Sequence, residues 1–289
     1  MMSARQTAMF LCYCGIVAVG NLATLSALFE FSNQNATASY VLMIPLVTLA
    51  LLYKDRDTIL ADVRFDWCAA LPFIVTGATL MVAGTLGQPP IAADLSLRVA
   101  AIVLLWVGGF LLVYGRAAAR RGRFPLAFLL FTIPIPGSLL AAGVQVLKYG
   151  STEAVSALFT LTGQVYHRDA FVFSLPGVVI EVADECSGIR SSIGLLLTSL
   201  LAGDVFLKKA WTKSILSLAV LPIAILKNAI RIVALTLLSI HVDPGFLTGQ
   251  LHHEGGIVFF ALALVATLPI LVLLRSLETR RIAAHAAAV

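Results

Sequence analysis

Charge is what this chain has least of. Of its 289 residues only 12% are Asp, Glu, Lys or Arg, against 60% apolar, whereas soluble domains carry roughly a quarter charged residues and about half apolar ones. That deficit excludes an ordinary soluble domain. It excludes a nucleic-acid reader as well, because the net charge of +5 is spread between apolar runs and has to be read by position. Internal repeats are missing, and low complexity is confined to the alanine-rich tail. The lack of a repeat weighs against a transporter built from inverted halves. Cysteine is scarce, at Cys12, Cys14, Cys68 and Cys186 only.

What the chain has instead is a series of apolar runs, most of them of bilayer-crossing length, about 20 residues each. The pattern predicts an all-α polytopic membrane protein with about eight transmembrane helices, forming one integral-membrane domain over 1–289. Met9–Phe29 is a first span, too long and too poorly ended for a cleaved signal peptide. Ala38–Leu52, interrupted by Pro45, Trp67–Leu86 and Leu97–Tyr114 complete an N-terminal set of four within 1–123. Phe124–Ile135 is short at about 18 Å of helix. It ends at Pro134 and Pro136, so it must continue kinked or lie in a thin region. Leu139–Gly163 reads as a mixed, partly interfacial helix. Tyr166–Val182 alternates around Leu175-Pro-Gly177 and predicts a small hairpin before the sixth span. Cys186–Phe206, Ser214–Ile240 and Gly255–Leu274 are the last three spans, followed by a tail over 275–289.

Lysine and arginine placement orients this bundle. With the N-terminus inside, the inner segments hold Arg5, Lys54, Arg56, Arg64, Arg116, Arg120, Arg121, Arg123, Lys208, Lys209, Lys213, Arg275, Arg280 and Arg281. The outer segments hold Arg98, Lys148 and Arg168, while Arg190, Lys227 and Arg231 lie within spans. The bias follows the positive-inside rule. It makes the protein a multi-pass component of the cell (inner or plasma) membrane, puts the 275–289 tail in the cytoplasm and puts the region of Cys186 and the hairpin on the extracytoplasmic side. Cys12, Cys14 and Cys68 fall near inner ends of spans, so Cys186 has no disulfide partner on its side of the membrane. An unpaired thiol in an oxidising compartment points to reactivity.

Glu181-Val-Ala-Asp-Glu-Cys-Ser-Gly-Ile-Arg-Ser-Ser192 gathers acids, that cysteine and an arginine at the threshold of an apolar run. If the helix begins near Cys186, its first-turn N–H groups favour a thiolate there, and Arg190 sits one turn along the same face. The plainer reading makes Cys186 a small buried hydrophobe and Arg190 a snorkelling anchor. Within the seventh span, Lys227, Asn228 and Arg231 mark a polar face, and intramembrane charge is functional by default. Its alternative is an arginine pairing with Asp184 or Glu185 to lock two helices. Gln250-Leu-His-His-Glu-Gly-Gly256 places His252 and His253 at the outer mouth of the eighth span. Histidine is the ordinary base for a thiol nucleophile, although two interfacial caps would look the same.

Three blocks carry a resemblance: Glu185-Cys-Ser-Gly-Ile-Arg-Ser-Ser192, Asn228-Ala-Ile-Arg-Ile232, and the histidines ahead of Gly256-Ile-Val-Phe-Phe260. Together with the proline-ended Phe124–Pro136 segment they resemble the exosortase/archaeosortase family, over essentially Phe124–Leu274; the first four spans match only in being apolar. The resemblance implies a membrane-embedded cysteine transpeptidase of the bacterial branch, sortase-like in function though unrelated in fold, with 124–274 as its catalytic half. It implies substrates exported with a C-terminal signal of short motif, apolar helix and basic tail (PEP-CTERM-like), cleaved through a thioacyl intermediate and passed to an acceptor such as a lipid or polysaccharide precursor. Carried over, Cys186 is the nucleophile, Arg231 the essential arginine, and His252 or His253 the acid/base, with family spacing favouring His252. Glu185, Ser187, Gly188, Arg190 and Asn228 are supporting positions in the same blocks. No cofactor or metal is implied.

The residue chemistry agrees: a thiolate attacks a carbonyl, an always-charged guanidinium stabilises the oxyanion, and a histidine moves the proton. Two competitors stay open. A transporter would use Lys227 and Arg231 as a buried substrate site. A metal-dependent membrane hydrolase would recruit Cys186, His252, His253 and Glu254, although only the isolated His253-Glu254 pair is present where an HExxH spacing is needed. The orientation is directly testable. Cys186 is expected to react with an impermeant maleimide added outside intact cells, and Cys12, Cys14 and Cys68 only after the membrane is opened; the reverse labelling pattern overturns the orientation.

Overall fold

A computed structural model describes residues 4–86, 95–247 and 256–286. The chain divides into two compact units, Met1–Pro136 and Gly137–Val289. Six described helices are long and apolar enough to cross a membrane, or up to eight spans if each of two bent pairs counts as one. That agrees with the all-α polytopic architecture read from the apolar runs.

In the first unit, the expected span Met9–Phe29 falls on two helices, α1 (Ala4–Gly20) and α2 (Leu22–Gln34), bent by 75°. Asn21 sits at the bend and its Nδ2 donates to the Val17 carbonyl at 2.8 Å, taking an acceptor at the end of α1. Pro45 does not interrupt the next span, because it falls in the first turn of α3 (Met43–Lys54), where its missing N–H has no intrahelical partner to lose. A four-residue turn, α4 (Arg56–Ile59), leads to α5 (Trp67–Leu86).

The fourth span extends beyond its expected Leu97–Tyr114 to α6 (Leu95–Arg121), broken at Gly115 with φ 79. That break frees carbonyls near the end of the apolar run, and the Arg64 and Asp66 N–H groups donate to Tyr114 and Leu112 there. Asp66 also caps α5 through the Ala69 N–H at 3.0 Å and accepts from Arg116 Nε at 2.8 Å. These bonds hold its carboxyl below the usual carboxylate range. Helices α5 and α6 approach closely through glycine: a Cβ at Gly108 would lie 2.6 Å from Ile74 Cγ1. Short α7 (Arg123–Phe128) and a 3₁₀ turn (Leu129–Thr132) follow. Pro134 and Pro136 then prevent a continuous ladder into the next helix.

The second unit begins with α8 (Gly137–Leu161), a single helix over the stretch that reads as mixed from sequence. The predicted hairpin gains a strand: β1 (His167–Asp169), β2 (Val172–Leu175) and β3 (Val178–Glu181) form an antiparallel sheet in that order. Both turns are two residues long, with positive φ at Ala170 (49°) and Gly177 (84°). Three helices complete the unit, α9 (Ile189–Phe206), α10 (Ala210–His241) and α11 (Gly256–Ala286). Phe173, Leu175, Ile180 and Val182 of the sheet segment share one core with Val155 and Phe159 of α8 and with Ala229 and Val233 of α10. Arg168 ties the sheet to α8 through Glu153 at 2.6 Å, and that bond raises the guanidinium pKa further.

The eighth span does not stop near Leu274. Helix α11 continues, so that Glu278, only 4% exposed, accepts hydrogen bonds from the Lys208 N–H at 3.0 Å, the Lys209 N–H at 2.8 Å and the Thr212 hydroxyl. An acid from one helix therefore caps the start of another. Glu278→Ala strands those donors, so a loss of about 1–3 kcal/mol is expected, read as a lower thermal midpoint in detergent; an unchanged midpoint would leave Glu278 without a structural role.

Candidate active site

Gly188 decides how the cysteine block is built. Its φ of +74° lies in the left-handed region, which glycine enters without the Cβ penalty other residues meet. The chain therefore forms a separate 3₁₀ turn, Asp184–Ser187, before α9 starts at Ile189. This corrects the expectation that Cys186 occupies the first turn of the sixth span. The dipole of α9 does not begin at Cys186, and the one-turn relation between Cys186 and Arg190 is lost because they belong to different pieces of helix. Arg190 is exposed.

The turn is held at both ends. On the α8 side, Lys148 Nζ donates to Asp184 Oδ1 at 2.9 Å and lies 4.4 Å from the centre of the Phe171 ring. On the α10 side, Gly188 packs so tightly that an added Cβ would lie 3.1 Å from Asn228 Oδ1 and 3.3 Å from Lys227 Nζ. Lys227 Nζ donates to the Ser191 hydroxyl, and the hydroxyls of Ser191 and Ser192 each donate to the Gly188 carbonyl at 2.9 Å. Asn228 Nδ2 donates to Ser151 Oγ of α8 at 3.0 Å. Lys227, Asn228 and Ser151 are 8%, 1% and 0% exposed, so this is a buried polar seam between helices. The backbone of Glu185 and Cys186 lies between its two ends. Ser187, 1% exposed, has no hydrogen-bond partner for its hydroxyl among the described residues.

Arg231 is half-buried, one turn beyond Lys227 on the same helix. At 32 residues α10 is roughly 48 Å long, well beyond a hydrocarbon core of about 30 Å. Ala229, Val233, Leu237 and Ile240 of its C-terminal part pack in the sheet's core. Arg231 thus sits on the stretch of α10 flanked by the sheet. His252, His253 and Glu254 lie outside the described residues.

The structure thus brings Ser187, Gly188 and Asn228 together with the backbone of Glu185 and Cys186, and leaves Arg190 apart. It adds Lys148, Ser151 and Ser191, which sequence reasoning did not single out as site residues. A signal for the first two was present: Lys148, Ser151, Thr152 and Val155 recur at helical spacing, a one-sided polar stripe leading into an apolar contact. Among the described residues no cluster of His, Cys, Asp or Glu could hold a metal ion.

A family model described as transmembrane exosortase matches residues 32–269. The match extends well N-terminal of Phe124–Leu274, so the likeness is not restricted to the half that carries the motifs. Comparison with curated proteins and with solved structures gives no match.

The contact at Gly188 can be measured. Gly188→Ala is expected to destabilise by about 1–2 kcal/mol from its backbone conformation alone, plus a packing part against Asn228. In an Asn228→Ala background the packing part should disappear, so a thermal-midpoint cycle gives a non-zero coupling. Strict additivity would show that the two residues do not meet.

Proposed function

The chain belongs to the transmembrane exosortase family, whose membership supports a membrane transpeptidase role, and we propose that it cleaves the C-terminal sorting signal of exported proteins with Cys186 as nucleophile. The observation that carries this reading is the two-ended clamp on Asp184–Gly188, by Lys148 from α8 and by Lys227 and Asn228 from α10. A nucleophile benefits from a turn whose backbone is pre-positioned, because misplacement by about 1 Å can cost a factor near 10² in rate.

The Cys186 thiolate attacks the scissile carbonyl, and Arg231, with its planar set of donors, takes the developing negative charge. The tetrahedral species collapses to a thioacyl enzyme while His252 or His253, with His252 preferred, protonates the departing amine. An acceptor nucleophile then gives up its proton to the same histidine and attacks the thioester, which releases the thiolate and completes the transfer. Glu185, Ser187, Gly188 and Asn228 support the turn. Arg190, exposed on α9, is available to the substrate or to the membrane interface. The substrates are exported proteins bearing a short motif, an apolar helix and a basic tail (PEP-CTERM-like), a form suited to an enzyme that shares their bilayer. A lipid or polysaccharide precursor with a free nucleophile would serve as the acceptor. The site faces the extracytoplasmic side of the inner or plasma membrane, the orientation favoured by the distribution of lysine and arginine.

The test uses an exported reporter with a PEP-CTERM-like signal, co-expressed with the full chain. Cys186→Ser should leave abundance unchanged and abolish processing, and full processing by that variant removes the cysteine mechanism. Arg231→Lys keeps the charge but loses the planar donors, so processing should fall by about 10²- to 10³-fold with the thermal midpoint near wild type. A stable, active lysine variant would make Arg231 structural.

A further inference from the structure

The sheet that leads into Cys186 has two outer edges, and among the described residues no strand covers the one on β3, the edge nearer the nucleophile in sequence. In the order β1-β2-β3, β2 is paired on both sides and β3 on one. The phase of the ladder shows which groups are left over. The Val182 N–H donates to the Phe171 carbonyl at 2.9 Å, and Phe173↔Ile180 and Leu175↔Val178 continue the same alternation of directly opposed residues. In an antiparallel pair the intervening residues turn their N–H and C=O groups away from the partner strand. These are Val179 and Glu181, and among the described residues no backbone bond reaches either from the open side. Their side chains are exposed, Val179 to 67%, while Ile180 and Val182 between and after them are buried in the core. The edge is therefore rigidly backed and open. It is also continuous with the nucleophile: five positions along the chain separate Glu181 from Cys186, and the intervening segment enters the turn held by Lys148.

We infer that the outer edge of β3 binds the protein substrate by strand addition, the extended segment next to the scissile bond pairing with the N–H and C=O groups of Val179 and Glu181. The inference rests on the proposed reading that the substrate is a polypeptide. An unpaired edge is a template for another extended chain. Main-chain pairing supplies affinity that is indifferent to most side chains, leaving alternate positions to be read one by one. It would serve an enzyme that accepts many proteins sharing only a short signal. It also supplies register: a segment fixed along Val179–Glu181 presents one particular carbonyl to the turn that follows.

Proline tests this cleanly, because at an edge position it removes only an outward N–H and is tolerated there. With the full chain in lipid nanodiscs and the purified PEP-CTERM-like reporter, Val179→Pro and Glu181→Pro should each raise KM by about three- to tenfold with kcat little changed, while Val179→Ala and Glu181→Ala, which keep the backbone N–H, should raise KM by less than the corresponding proline. Proline variants that keep their thermal midpoint and wild-type KM overturn the inference. Where a proline lowers the midpoint, the answer comes from a photo-crosslinking amino acid at position 179 in the Cys186→Ser background. Adducts to the reporter's motif segment support strand addition, whereas adducts only to a second copy of this chain, or none to the reporter, overturn it. A wild-type enzyme that leaves the reporter uncut, while the crosslink still forms, separates the two ideas: the transpeptidase reading then fails and the docking edge stands.

Discussion

An ammonium group and a primary amide, buried on a largely apolar helix, impose the constraint around which the second unit is built. Lys227 and Asn228 are almost fully buried, and in a medium without water their donors cost several kcal/mol each if nothing receives them. Ser191 receives the ammonium, Ser151 receives the amide, and Gly188 has no side chain to stand in the way. Satisfying those two residues brings α8, α9 and α10 to one place. The left-handed glycine is the piece that makes it possible, since it ends one short helix, starts another, and lets its own carbonyl accept from both Ser191 and Ser192. The segment with Cys186 is suspended between that glycine and the Lys148–Asp184 ion pair.

The length of α10 sets what surrounds this seam. A helix of about 48 Å cannot be covered by hydrocarbon along its whole length, and the sheet shields the apolar residues of its C-terminal part. Its other end is fixed by the buried carboxylate of Glu278 on the Lys208 and Lys209 N–H groups. The polar face between these ends is consequently placed by contacts on either side of it, not by its own bonds alone.

Much of this was legible in the residues, and what was not has identifiable causes. The spans were visible because a crossing helix must be apolar for about 20 residues, and Trp67–Leu86 matches to the residue. Positions where the backbone departs from a uniform helix were harder. Asn21 bends the first span through a local side-chain bond that hydropathy does not register. The glycine at 188 was read as part of a motif, while its conformation, which separates Cys186 from α9, depends on what it packs against. A third strand was missed because His167–Asp169 is polar and only three residues long, so it has no alternation to detect. Within the site, Arg231 and Asn228 stood out as polar groups in an apolar run. Lys148 did not, because a lysine in a mixed helix near an interface resembles many solvated ones, and its partner Asp184 is distant in sequence.

That lysine serves two neighbours with one ammonium. It bonds Asp184 in the nucleophile's turn and lies over the ring of Phe171, which closes the first turn of the sheet. Loss of the ring would remove a face that helps keep the charge at this height on α8, and loss of the acid would leave a cation with only a ring to meet. Positions 148, 171 and 184 are therefore constrained as a set. Across related chains they should change in concert, an arginine or a neutral residue at the first arriving with a different ring or acid at the others. An independent drift at any one of them would be felt where the cysteine sits, although none of the three is within one residue of it.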